Sequence, residues 1–263
     1  MRIATFNVNS VNARLENLSA WLERTSPDIV CLQEIKTEFN GFPFFEIQAL
    51  GYDMKILGQK SYNGVAVLSR YKIEVVSEGI PNFEDENARY LEVLVDVKGR
   101  KVRVASVYLP NGNPPYNDPD DTSKFDYKLR WMEALYKHAK YLLSLNEPVI
   151  LTGDFNVILT DKDVYDVEVV KNNALFREEV KQRLKAIEYL GFYDAFRVLH
   201  PKEVGYTYWD YAGNAFSADL GMRIDYAFLS PILVDELKEC YVDKSPRGEA
   251  KPSDHTPLVV DFK

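Results

Sequence analysis

Apolar residues fall along this chain in short unbroken runs, separated by longer stretches with three- and four-residue spacing. The runs "RIATF", "DIVCLQ", "GVAVLS", "RYLEVLVDV", "KVRVASVYL", "PVILT", "RIDYAFL" and "PLVVDF" have the length and β-branched content of strands. Three stripes have helical period: Val11, Leu15, Leu18 and Leu22; Leu129, Met132, Leu135 and Leu142; Leu175, Val180, Leu184 and Ile187. Lys98-Gly99-Arg100 divides two strand patterns and predicts a hairpin, hence antiparallel pairing. "PDIVCLQE" and "PVILTGD" are apolar at successive positions and follow helical stretches, which suits strands covered on both faces. "NGNPPYNDPDDTS" (111–123) reads as a surface loop. The pattern predicts an α/β chain of layered mixed sheets with helices outside. No flexible linker or short repeat divides it, so residues 1–263 are expected to form one domain.

Composition adds exclusions. The chain has 263 residues, 46% hydrophobic and 27% charged, which is ordinary globular usage. No apolar stretch has the length of a membrane span, so no membrane partner is expected. Asn7 and Asn9 interrupt "MRIATFNVNS", which argues against a secretory leader. Two cysteines, Cys31 and Cys240, make neither a disulfide framework nor a metal spacing, and a reducing cytoplasmic setting is expected. The net charge of −8 argues against a general polyanion binder, although a local basic surface or bound divalent cations outweigh global charge.

The chemistry collects where the apolar runs end. "IATF" runs into Asn7 and Asn9, "IVCLQ" into Glu34, "VILTG" into Asp154 and Asn156, and "SVYLP" carries Tyr108 and runs into Asn111. "RIDYAF" holds Asp225 in mid-strand, and "SDHTPLVV" sets Asp254 and His255 before a strand that should therefore run antiparallel to the others. Ligands of α/β sheets gather beyond the carboxyl ends of strands. Each residue has a plain alternative. Glu34 could end a strand, Asp154 could make an Asx-turn, Asn9 or Ser10 could cap the first helix, and Asp254–His255 could be a surface turn. Asp225 is harder to explain that way, because a charge in a core strand needs a partner. Hard oxygen ligands with one His and no Cys point to Mg²⁺ or Mn²⁺. Together they indicate metal-dependent phosphoester hydrolysis, with the substrate open.

"ATFNVNS", "LQEIK", "NGVAVLS", "YLPNG", "TGDFNV", "RIDYAFLS" and "KPSDHTPL" occur in this order across the chain. With these motifs the chain resembles the exonuclease III family of abasic-site (AP) endonucleases, within the wider endonuclease/exonuclease/phosphatase group. The resemblance implies a four-layer α/β sandwich of two packed mixed sheets flanked by helices. It implies Mg²⁺-dependent hydrolysis of double-stranded DNA 5′ to an abasic site, with 3′-phosphodiesterase, 3′-phosphatase and 3′→5′ exonuclease activity on blocked ends. Carried over by motif, Glu34 is the main metal ligand, with Asn7 beside metal and phosphate and Asp254 lining the metal site. Asp154 deprotonates the attacking water, and Asn156 helps to hold it. His255 contacts the scissile phosphate, and Asp225 fixes its orientation. Tyr108 and Asn111 bond the phosphate. Asn9, where some relatives have Asp, is placed with the substrate contacts.

Segment 206–225 matches the region that forms the pocket for a flipped-out sugar, making Tyr208, Trp209, Met222 and Ile224 its candidate lining. Tyr208 and Met222 also read as ordinary core. An apolar cavity suits a sugar without a base, and extruding such a nucleotide is cheaper. A monomer is expected. Two rivals remain: another phosphoesterase of the wider group, acting on general nucleic acid, lipid or inositol phosphates; and a non-catalytic DNA-binding protein.

Overall fold

The computed structural model describes residues 1–115 and 117–263; Tyr116, in the predicted 111–123 loop, lies outside the described residues. Two six-stranded mixed sheets face each other. The first contains β1 (Arg2–Asn7), β2 (Ile29–Gln33), β3 (Asp53–Leu57), β4 (Val65–Ser69), β11 (Leu237–Val242) and β12 (Leu258–Phe262), in the order β11-β12-β1-β2-β4-β3. The second contains β5 (Ile73–Glu78), β6 (Tyr90–Val97), β7 (Arg100–Tyr108), β8 (Val149–Asp154), β9 (Tyr193–Asp194) and β10 (Asp225–Leu229), in the order β5-β6-β7-β8-β10-β9.

Strand alternation builds the layers. In β2, Ile29 and Cys31 point between the sheets and meet Val93, Val104 and Ile150 of the second sheet. Val30 and Leu32 point outward onto Leu18, Trp21 and Leu22 of helix Leu15–Thr25. On the far side, Leu151 and Phe228 pack on Trp131 and Leu135 of helix Ser123–Ser144, and on Leu184 and Ile187 of helix Glu178–Leu190. Helix, sheet, sheet and helix make the four expected layers. Among the described residues no helix is long and apolar enough to cross a membrane.

The hairpin forms between β6 and β7, with Val97 opposite Arg100. Lys98 and Gly99 carry φ of 55° and 89°, the positive values that a tight two-residue turn requires. Arg100 is already on the strand. Four strands were not legible as apolar runs: β3, β5, β9 and β11. All four lie at sheet edges, where one side needs no apolar partner; β5 exposes most of its residues.

Two local expectations need correction. Helix Leu15–Thr25 starts from Arg14, with no side-chain cap. Asn9 and Ser10 lie upstream in left-handed backbone (φ 44° and 87°), and the Asn9 side chain bonds across the site instead. Asp225 is the first residue of β10, not a mid-strand residue. Just before it, the Ile224 carbonyl accepts from the Phe155 N–H at 2.9 Å, and the Arg223 guanidinium reaches Asp163 and Asp194.

Candidate active site

Parallel pairing puts several strand ends together. β1 pairs parallel with β2, so Asn7 lies opposite Gln33 and next to Glu34. β7 pairs parallel with β8, so Tyr108 lies opposite Asp154. β10 and β12 run antiparallel to β8 and β1, and therefore bring their starts to the same edge. Asp225 is thus the register partner of Asp154. Both sheets deliver polar residues to one rim, where a cleft of about 590 Å³ opens.

Gly153 allows the close approach that sets Asp154. Its φ is 152°, and a Cβ there would lie 1.9 Å from the Val107 carbonyl oxygen. Asp154 then accepts from the Asn156 N–H at 2.9 Å through Oδ1, so the Asx-turn reading holds as local structure. Its Oδ2 accepts from Asn7 Nδ2 at 2.9 Å and lies 3.7 Å from His255 Nε2. Glu34 follows β2 in left-handed backbone (φ 51°), a conformation uncommon for a residue with a Cβ and a recognised store of strain at functional sites. Its Oε1 accepts from the same Asn7 amide at 2.9 Å, and Oε2 meets Lys36 Nζ at 2.8 Å.

His255 and Asp225 are joined Nδ1 to Oδ2 at 2.8 Å, both buried. That bond leaves Nε2 directed toward Asp154. Among the described residues, Asp225 Oδ1 is buried without a hydrogen-bond partner. Across the cleft, Asn111 Nδ2 donates to Asn156 Oδ1 at 3.3 Å, and Asn156 Nδ2 donates to the Leu109 carbonyl at 2.9 Å. Asp254 accepts from Asn9 Nδ2 at 3.0 Å, while Asn9 Oδ1 accepts from Lys36 Nζ at 2.5 Å.

Burial and like charge dominate the electrostatics. Burial pushes the Asp154 carboxyl up to about 7; His255 opposes the shift, Asp225 and Glu34 reinforce it, and the Asn7 amide opposes it again. For His255 burial acts downward, but the charges of Asp225 and Asp154 overcome it and hold the imidazolium well above its ordinary range. Burial also acts to raise Glu34, yet Lys36 and the Asn7 amide keep it below the usual carboxylate value.

Ligand atoms of Glu34, Asp154 and His255 all lie within 4.8 Å of one another, a grouping that could hold a metal ion. Asp254 lines the cleft but lies outside that group of three. Asn7 lies beside that group: its Oδ1 accepts the Asn9 N–H at 3.1 Å, and its amide NH₂ bridges the Glu34 and Asp154 carboxylates. Carboxylates crowded on a rim, with an unpartnered carboxylate oxygen close by, fit a hard divalent cation.

Tyr208, Met222 and Ile224 line the cleft as one wall. Trp209 does not. It is fully buried, packs on Phe216, and donates from its indole to Asp219 at 3.2 Å. Alternation along an extended segment explains this, since Tyr208 faces the cleft and its neighbour faces away. Sequence reasoning missed Tyr165, Leu175 and Leu220 on the same wall, and Asn113 and Asn173 at its edge. Tyr165 and Leu220 stand in irregular segments without periodicity to flag them.

A two-sheet sandwich with an Asp–His pair, a second Asp and a Glu at the converging strand ends is the arrangement of a phosphoester hydrolase with a cluster able to bind a metal ion. The model of the Endonuclease/Exonuclease/phosphatase family matches residues 4–255, and the chain belongs to that family, as a nuclease of the exonuclease III and AP endonuclease type. It is 30% identical to an exodeoxyribonuclease of Bacillus subtilis over 99% of this chain and 98% of the relative. Among solved structures it is similar to an AP endonuclease from Archaeoglobus fulgidus (TM-score 0.91, 36% identity, 100% of this chain and 99% of that one). It is equally similar to a 3′ phosphatase from Neisseria bound to a product DNA hairpin (TM-score 0.93, 36% identity, the same coverage).

Proposed function

We propose that this protein is a DNA repair nuclease that hydrolyses the phosphodiester 5′ to abasic sites in duplex DNA, with 3′-phosphodiesterase, 3′-phosphatase and 3′→5′ exonuclease activity on blocked ends. The observation that carries the reading is the Asp225–His255 pair aimed at Asp154 beside Glu34. The similarity to an AP endonuclease and to a 3′ phosphatase supports both substrate types. The free, buried cysteines suit a reducing cytoplasm, and a cleft lined by residues of one chain suits a monomer.

In this reading Asp154 takes a proton from water, and the Asn156 amide orients that water for in-line attack. The imidazolium of His255, fixed by Asp225, faces the charge that develops on the phosphate oxygens. Tyr108 and Asn111 bond the same phosphate. Glu34 and Asp254 would hold Mg²⁺, or Mn²⁺ in its place, with the Asn7 amide bridging the Glu34 and Asp154 carboxylates. The bound cation would supply charge neutralisation at the phosphate. Asn9 and the apolar wall of Tyr208, Met222 and Ile224 would receive the sugar, which has no base edge to pair.

A panel of three duplexes tests this: one with a single tetrahydrofuran site, one intact, and one with a 3′-phosphate. In Mg²⁺ the first should be nicked 5′ to the lesion and the third dephosphorylated, while the intact strand is cut internally at least about 100-fold more slowly. EDTA should stop all turnover. Full activity in EDTA would remove the metal, and equal cutting of the intact duplex would remove the abasic specificity.

A further inference from the structure

Lys128 lies in the second turn of helix Ser123–Ser144, on the buried stripe with Trp131, Met132 and Leu135. Its exposure is 0%. Burying an ammonium costs several kcal/mol, and an apolar side chain would fill the stripe without that cost. Among the described residues no carboxylate forms an ion pair with it. Its Nζ instead donates to two backbone carbonyls, Asn156 at 2.6 Å and Asn111 at 2.9 Å.

Those two residues are also the ones whose side-chain amides meet across the cleft. Asn156 holds left-handed backbone (φ 47°). Gly112, at φ 85°, lies so close over the lysine stem that a Cβ there would come 2.6 Å from Lys128 Cδ. Helix Ser123–Ser144 therefore reaches the cleft floor through one side chain, which grips the loop after β7 by its stem and both loops by its charge. Burial lowers the ammonium pKa to about 7, with Asp154 acting in the opposite direction.

We propose that Lys128 is a positioning residue of the nuclease site: by tying the carbonyls of Asn111 and Asn156 together it fixes both side-chain amides for the phosphate and the attacking water. The proposal rests on the roles given to those amides under the proposed function. A purely structural lysine would affect stability and leave turnover per folded molecule unchanged. Small displacements of positioning groups cost up to about 100-fold in rate.

The test compares the full chain with Lys128→Met, Lys128→Arg, Asn156→Ala and the Lys128→Met/Asn156→Ala double variant, on a tetrahydrofuran duplex and a 3′-phosphate duplex in Mg²⁺. Lys128→Met should lower kcat about 10- to 100-fold while KM and the thermal midpoint hold. Lys128→Arg, which restores a charged donor, should recover part of the loss. In the Asn156→Ala background, Lys128→Met should cost no more than about threefold further, because the two act through one element. A wild-type kcat in Lys128→Met, or losses that multiply in the double variant, would overturn the proposal. Should Lys128→Met fail to fold, Lys128→Gln takes its place under the same two criteria. Wild-type silence on both duplexes would instead overturn the reading of function on which the proposal rests.

Discussion

Two buried clusters of charge lie side by side in this protein, and only one of them is balanced. In the first, Arg223 donates to Asp163 and Asp194 at 2.7 Å each, and Arg197 donates to Asp163 at 2.6 Å. Two guanidiniums meet two carboxylates, and Asp194 also caps the helix Ala195–Leu199. Burial acts to raise Asp163, but Arg223 holds it below its ordinary value. In the second, Glu34, Asp154, Asp225 and Asp254 face His255, with Lys36 bonded to Glu34. There burial and neighbouring charge raise Asp154 to about 7. The clusters are separated along the chain only by Ile224. Ion pairing makes one a brace between loops. Unmatched negative charge makes the other a place for a cation, a proton or a phosphate.

The sharpest break of this comparison is Asp154→Asn. It removes the proposed base and should lower cleavage by at least about 10³-fold. It also removes a buried carboxylate from an acidic cluster, so the thermal midpoint should hold or rise. A variant that cleaves like the wild type would end the base assignment. A variant that loses its fold would make the site cluster as structural as the other.

The brace should behave in the opposite way. Arg223→Met leaves Asp194 buried without its guanidinium and Asp163 with Arg197 alone, and breaking a buried pair from one side costs about 3–5 kcal/mol. Urea unfolding should show this as a lower midpoint at unchanged slope. Equal stability of variant and wild type would mean that the brace contributes nothing.

Much of this division was legible in the sequence. "RID" places Arg223 and Asp225 on one short segment, and the strand-end positions of Glu34, Asp154 and His255 marked the site because parallel and antiparallel strands bring opposite ends to one rim. The layers were legible because β2 and β8 are apolar on both faces. What was not legible depends on distance in space. Asp163 and Asp194 lie 60 and 29 residues from Arg223, with no pattern linking them. Trp209 was misplaced because its motif does not say which side of an extended segment faces the cleft. Lys128 carried a signal that went unused: a lysine at i−3 and i−4 from Trp131 and Met132, on a stripe that is otherwise core.

The smallest effect, and the one that addresses both clusters in a single experiment, is the pH profile. Asp154 must be ionised to act as a base, and burial with the neighbouring Asp225 and Glu34 pushes its carboxyl up from 3.8 to about 7. Below about 7, log kcat/KM should therefore rise by about one per pH unit, and it should flatten above. His255, held well above 6.5, keeps its proton through that window. A bound divalent cation favours the ionised carboxylate, so raising Mg²⁺ should move the limb to lower pH. The stability terms have opposite signs. Asp154 is raised on folding, so the stability linked to it is lost as pH rises from 3.8 through about 7. Asp163 is lowered on folding, so its contribution is full above 3.8 and is lost only as pH falls through its depressed folded value. Between about pH 5 and 8 the site should titrate while Asp163 stays ionised; beside the brace only Glu188, pushed up to about 7 by burial and Asp194, should add a change in that window. A kcat/KM that is flat from about pH 5 to 7 at limiting Mg²⁺ would place the Asp154 carboxyl in the ordinary range and erase the difference between the two clusters.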